Sequence, residues 1–326
     1  MGERKQSMLW SQFCKFGAVC FFCLILLKPM PLGAQCFSSS GNPVGGSQNM
    51  GTLDKGVLSC IGFYRSSFSD RYFKGSQESS VDILKNANYN YTGTLLAYGL
   101  IQGVTLEMEA GYFLNKTKNY KIPAGYGLRG FGLANALISS KIQIFNNIER
   151  SFGWSASAGL KIPFSREMQS IDDVRLPFDL QASTGAFGVA VQSYLMKQNS
   201  FTGMRYFVFN RMDINGTSKD GYHYGPSFVN AVFVSKHLIR TSGWPVSITL
   251  IFQIRNEIYQ QNELWSEPEI SSGSVKLFAS PQVNLSFHET WNLSILADLP
   301  LYQYYNHIQL ANRLALGLSL SRSFQL

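Results

Sequence analysis

The chain has 326 residues, a formal charge of +8, 15% charged residues and 14% aromatics. An ordinary soluble domain carries about 25% charged residues, and a disordered chain combines many charges with few aromatics, so disorder is excluded. After the first 30 residues no stretch approaches the roughly 18 uncharged apolar residues of a spanning helix, which excludes a helical membrane protein. What remains is a chain that buries apolar area without apolar runs, the signature of strands with alternating faces.

The N-terminus reads as an address. Arg4, Lys5 and Lys15 stand against a single Glu3, an apolar core runs from Phe16 to Leu27, and Leu32-Gly33-Ala34 supplies small residues for cleavage. This is the order of a secretory signal peptide, expected over residues 1–34; the apolar core is too short for a signal anchor. Residues 1–34 hold a net +3, leaving +5 for the mature chain. Its basic residues are scattered, with no run or stripe for nucleic acid, which is not an expected partner.

Residues 35–55 are rich in Gly, Ser and Asn and lack alternation. They read either as a flexible tail or as a plug folded into a lumen. Cys36 and Cys60 are the two cysteines left after cleavage. The plug reading expects a disulfide between them in an oxidising compartment, with Cys60 facing inward if Ile61 and Phe63 face lipid. The tail reading expects two free thiols.

From residue 56 onward a period of two recurs, placing successive side chains on opposite faces of a strand. Early cases are Val104, Leu106, Met108, Ala110 and Tyr112, then Phe152, Trp154, Ala156, Ala158, Leu160 and Ile162. Later ones are Val246, Ile248, Leu250, Phe252 and Ile254, then Val275, Leu277, Ala279, Val283 and Leu285, then Trp291, Leu293, Ile295, Ala297 and Leu299. The last is Leu314, Leu316, Leu318 and Leu320, with polar or small residues between. Less regular candidates near 57–66, 91–101, 129–145, 182–195, 202–213 and 226–239 bring the total to about twelve.

Such alternation fits a soluble sandwich or a membrane barrel, and the links decide between them. Long links (Ser67–Asn90, Asn115–Leu128, Arg166–Asp179, Asn215–Tyr224, Gln260–Ser272) alternate with short ones (Gln102-Gly103, Asn146–Arg150, Lys197–Asn199, Arg240–Gly243, Glu289–Thr290), and a medium link covers Gln303–Gln309. Outer-membrane barrels alternate this way because one rim faces the exterior and the other the periplasm. The expectation is an all-β chain forming one transmembrane antiparallel β-barrel of about twelve strands over residues 56–326, with both ends on the periplasmic side.

The closing strand, Leu320-Ser321-Arg322-Ser323-Phe324-Gln325-Leu326, resembles the C-terminal strand of bacterial outer-membrane β-barrels. Gly41-Asn42-Pro43-Val44-Gly45-Gly46 and Ser69-Asp70-Arg71-Tyr72-Phe73-Lys74-Gly75 are similar to transporter-like barrels of the Bacteroidota. The resemblance implies an outer-membrane location, lipid as surroundings and an insertion machinery that reads the last strand. It brings no catalytic or ligand residue with it.

Charged residues on the polar faces are the candidate functional set: Glu107, Glu109, Lys161, Arg255, Lys276, Asp298 and Arg313. In a barrel they line a lumen, where they either set solute preference or pair with one another and fill the interior. No nucleotide, zinc or nucleophile-elbow motif occurs in the mature chain, so no catalytic residue, metal or cofactor is expected. Asp172-Asp173 and Asp220 with His223 read as solvated loop charges. The favoured function is a channel or transporter for a small solute. A structural or adhesive barrel is the alternative, and an outer-membrane hydrolase comes third.

Overall fold

The computed structural model describes residues 51–326, apart from Asp82, Ile122, Ala124, Asp172, Asp173, 241–245, His288 and Glu289. Alternating residues form twelve long strands: β1 (Val57–Ser69), β2 (Leu84–Ile101), β3 (Val104–Tyr120), β4 (Ala136–Asn147), β5 (Phe152–Ile162) and β6 (Gly188–Gln198). They continue as β7 (Met204–Asn215), β8 (Ser227–Arg240), β9 (Val246–Tyr259), β10 (Ser274–Phe287), β11 (Trp291–Ala311) and β12 (Leu314–Gln325). Each pairs antiparallel with the next. β12 returns to β1 from Val57↔Gln325 to Phe68↔Leu314, which closes the sheet. A closed barrel leaves no open edge, and this is the condition for strands to cross lipid. No helix among the described residues is long and apolar enough to cross a membrane.

The period of two turns the barrel inside out relative to a soluble protein. Leu250 is 43% exposed and Leu318 is 45% exposed, on the exterior of the wall, whereas Arg255 and Lys141 are fully buried within it. Apart from Arg313, the polar faces read from sequence on β3, β5, β9, β10, β11 and β12 point into the lumen.

The structure corrects several links. Residues Gln303–Gln309 are not a link: β11 runs unbroken from Trp291 to Ala311, and the turn is Asn312-Arg313. The continuation is possible because Arg71–Gly75, in the first long link, pairs with the far end of β11 and supplies a partner above the β10 contact. A register shift between Tyr305 and Ile308, with His307 at φ 58°, hides the strand's period there. β3 extends to Tyr120, beyond the expected start of its link at Asn115, because Gly127–Leu133 pairs with its upper half. The third long link begins at residue 163, directly after β5 ends at Ile162, and ends where β6 starts at Gly188.

That third link folds inward. Leu180 is fully buried, and a Cβ on Gly130 would lie 2.0 Å from Leu180 O, so the close approach needs glycine there. The Gln181 amide stitches the link together, donating to Gln169 O at 3.1 Å and Leu176 O at 2.9 Å. Two further long links meet in a small sheet of Tyr222–His223, Glu263–Leu264 and Glu267–Pro268.

β1 corrects the facing of Cys60. Ile61 and Phe63 are buried in the lumen, while Gly62 and Tyr64 are exposed on the wall, so Cys60 belongs to the exterior face. Cys60 has no disulfide partner among the described residues; Cys36 lies outside them, as do 35–50 of the tail.

Candidate functional site

The lumen holds a set of ion pairs between its two ends. Alternation on β9 sends Arg255, Glu257 and Tyr259 to one face. The Arg255 guanidinium donates to both Asp298 oxygens at 3.0 Å and to Glu257 Oε1 at 2.7 Å, and it lies 4.8 Å from the Phe278 ring centroid. Ser280 on β10 and Tyr259 donate to these same carboxylates. Every charge is thus opposed and hydrogen-bonded, the condition under which burial of ions is tolerated.

Two more groups continue the set around the wall. Lys141 on β4 pairs with Glu107 on β3 at 2.7 Å and lies over the Tyr194 ring at 4.4 Å. Asp213 on β7 accepts from Arg211 at 2.7 and 2.9 Å and meets Lys161 of β5 at 3.2 Å. Lys276 lies over the rings of Tyr259 and Tyr305, at 5.1 and 5.6 Å. Glu109 faces the lumen with no ion-pair partner among the described residues.

Aromatic side chains fill the rest. Tyr194, Phe207, Phe209 and Phe233 cluster on β6, β7 and β8. On the opposite wall Phe63, Tyr91 and Phe113 form a ladder with centroid separations of 5.5 and 4.6 Å. Tyr91 covers Gly111, where a Cβ would meet its hydroxyl oxygen at 2.1 Å.

A cavity lies on each side of this set. At the short-turn end a space of about 650 Å³ is lined chiefly by Ser, Asn, Gln and Thr, with Arg205 and His237 as its charged or titratable side chains. The described end of the N-terminal segment crosses this mouth: Leu53 N–H donates to Thr105 Oγ1 at 2.8 Å, and Thr52 Oγ1 to Gln143 Oε1 at 3.1 Å. At the long-link end a cavity of about 410 Å³ has Lys161 and Asp213 among its lining residues, Phe113 and Lys116 on one side, and the third link and small sheet around it. There Phe178 stacks on Tyr222 at 3.6 Å. Burial first, then the hydrogen bond it donates to Glu269, holds the Tyr222 phenol well above its ordinary range. Burial does the same to Tyr224. Both stay protonated and act here as donors.

Of the seven charges singled out from sequence, six reach the lumen, and Arg255 and Asp298 meet directly. Arg313 does not: it sits in the β11–β12 turn, exposed, and pairs with Asp70 on the rim. Its strand does not extend back to it, because β11 occupies the residues expected to be the link. Sequence reasoning missed Lys141, Arg211, Asp213, Glu257 and Lys116. Glu257 follows Arg255 by two and was within reach of the same face rule. The others lie in irregular strands, or beyond the expected strand end. Among the loop carboxylates, Asp220 pairs with Arg175 at 3.1 Å, His223 lies in the small sheet, and Asp172 and Asp173 lie outside the described residues.

No family model matches the chain, and no curated protein matches it. Among solved structures, an outer membrane channel from Pseudomonas putida F1 superposes with a TM-score of 0.66 at 13% identity, covering 85% of this chain and 98% of that one. The translocator domain of the autotransporter NalP from Neisseria meningitidis follows at 0.46 and 9%, covering 85% and 92%. A Pseudomonas aeruginosa FadL homologue stands at 0.41 and 6%, covering 90% and 96%. The first of these shares with the chain a bacterial outer-membrane barrel fold.

Proposed function

We propose that the chain is an outer-membrane channel for a small solute. The observation that carries this reading is the pair of cavities in a lumen lined with charges and hydroxyls, a polar one at the short-turn end and one of mixed polar and aromatic lining at the long-link end. A barrel built only as a scaffold has no need to keep space open at both mouths. The superposition on a protein described as an outer membrane channel supports the same reading. In this reading the short turns face the periplasm, the long links face outside, residues 1–34 are a cleaved signal, and the insertion machinery reads β12. The Bacteroidota-type subgroup rests on the likeness of the two short stretches, of which Arg71–Gly75 forms the strand that extends β11.

The test is single-channel recording of refolded protein in planar bilayers. Stepwise conductance supports the channel. Its absence across voltages, in protein that shows heat-modifiable migration, would overturn it. One observation favours the second reading, a barrel that acts through its exterior links: the ion pairs between the cavities are mutually opposed and largely buried. A silent bilayer with intact cell-surface exposure is what that reading expects.

A further inference from the structure

Lys116 differs from the carboxylate-paired cations of the outer cavity and of the lumen below it. Lys118, Lys141, Lys161, Arg211 and Arg255 each have a carboxylate within 3.2 Å. Lys116 has none within ion-pair distance among the described residues, although it is only 5% exposed. Its ammonium makes one hydrogen bond, to Gln181 O at 2.8 Å, and lies 4.8 Å from the Phe113 centroid. An ammonium carries three donors, so two remain for whatever enters the cavity that Lys116 lines. A buried cation without a counter-ion is costly, and the ring face offsets only part of that cost.

The surface beside this cation is apolar and aromatic. Phe113 and Leu310 belong to one buried cluster, with Tyr72 and Ala182 packed against it, and all four line the same cavity. We infer that the outer cavity is a binding site for a small, ring-bearing carboxylate, its carboxylate on Lys116 Nζ and its ring against Phe113, Tyr72 and Leu310. A single ammonium suits a monoanion; a phosphate dianion calls for a guanidinium fork or several donors. Of the carboxylates lining the cavity, Asp179 is paired with Lys118 and Asp213 with Lys161, and Glu269 accepts from the Tyr222 hydroxyl at 2.5 Å; the Tyr224 hydroxyl is committed to Phe178 O at 2.9 Å. A volume of about 410 Å³ holds one ring with its substituents and leaves room for water. This deepens the channel reading by naming the class of solute, yet occupancy of the cavity does not require passage.

The experiment is calorimetric titration of the full-length mature protein in detergent with benzoate, benzyl alcohol and benzylamine. Benzoate is expected to bind saturably and at least tenfold more tightly than the other two. Lys116→Met should remove that preference and Lys116→Arg should keep it. Ala182→Leu, which changes a link residue outside the barrel wall, should weaken benzoate at least tenfold by filling the ring's place. It therefore tests the site even if the Lys116 variants fail to fold. Equal binding of the three probes would overturn the proposal, and so would a benzoate preference that survives both Lys116→Met and Ala182→Leu. Bilayer recording on the same preparation separates the two readings. Benzoate binding without conductance leaves the site standing and removes the channel, and conductance in protein that ignores benzoate does the reverse.

Discussion

Arg255 on β9 reaches past β10 to grip both oxygens of Asp298 on β11, 43 residues later in the chain, with each contact at 3.0 Å. The link spans a strand because Ser280 on β10 is small and itself donates to Asp298. A bidentate pair that also takes in the Ser280 hydroxyl fixes the relative height of three strands.

Removing one partner of that group is the first test. Arg255→Met leaves Asp298 and Glu257 buried without their shared guanidinium, and should cost about 3–5 kcal/mol. The combined change Arg255→Met, Asp298→Asn and Glu257→Gln should recover most of the loss, since neutral groups can still share hydrogen bonds. Urea unfolding in lipid vesicles, followed by migration on unheated gels, measures both. A triple variant no more stable than the single one would show that the charges do not act as a unit.

The two faces of the wall give the second prediction. Leu250→Arg or Leu318→Arg puts a cation on the exterior and should cost roughly 2–4 kcal/mol if the site lies near the bilayer midplane. Asn284→Arg enters the short-turn cavity, which Asn284 lines, and should cost much less. Equal losses on both faces, read in the same unfolding assay, would contradict a membrane-spanning wall.

How much of this was legible follows from the same alternation. The strands with an uninterrupted period of two, β3, β5, β9, β10 and β12, could be read with their facings, and with them Glu107, Lys161, Arg255 and Lys276. β7 could not, because Phe207, Phe209, Arg211 and Asp213 share the lumen face and mix apolar with charged residues, which erases the contrast that periodicity relies on. β1 failed for a related reason: Ile61 and Phe63 are apolar yet point into the lumen, where Phe63 packs in an aromatic ladder. The outer cavity was beyond sequence altogether. Its walls join strand ends to inward-folded links, and no spacing rule brings Gln181 to Lys116.

Glycine at position 111 supports the third prediction. The Tyr91 ring lies where a Cβ would stand, so Gly111→Ala must displace a ring packed between Phe63 and Phe113. Overpacking of this kind costs about 1–3 kcal/mol. At Gly153 an added Cβ would meet only Met196 Cε, at 3.8 Å, so Gly153→Ala is the matched control and should change stability little. Parallel unfolding midpoints for the two variants would argue against the ladder.

Topology gives the fourth. The hairpin of Arg71–Gly75 with Gln77–Glu78 stands beyond the long-link rim, where Arg71 pairs with Glu78 at 3.1 Å. A short epitope inserted after Ser80 leaves that pairing intact. Antibody should reach it on intact cells, and labelling that appears only after permeabilisation would reverse the orientation.

The last prediction concerns Cys60. On the exterior face its cross-strand partners are Leu96 on β2 and Arg322 on β12, and Arg322 spreads over the Trp291 and Phe324 rings at 4.9 and 4.7 Å. Aromatic rings with an arginine near strand ends are what the membrane interface favours. The thiol therefore lies on the outer face of the wall near the short-turn end, separated by the wall from a lumen segment such as Leu53. A tail that enters the lumen cannot reach it without crossing the sheet. Mass spectrometry of unreduced protein should find Cys60 as a free thiol. In intact vesicles it should react faster with the small, uncharged N-ethylmaleimide than with a charged maleimide of similar reactivity. A Cys36–Cys60 disulfide in material purified without reductant would place the thiol on the lumen side and overturn the facing of β1.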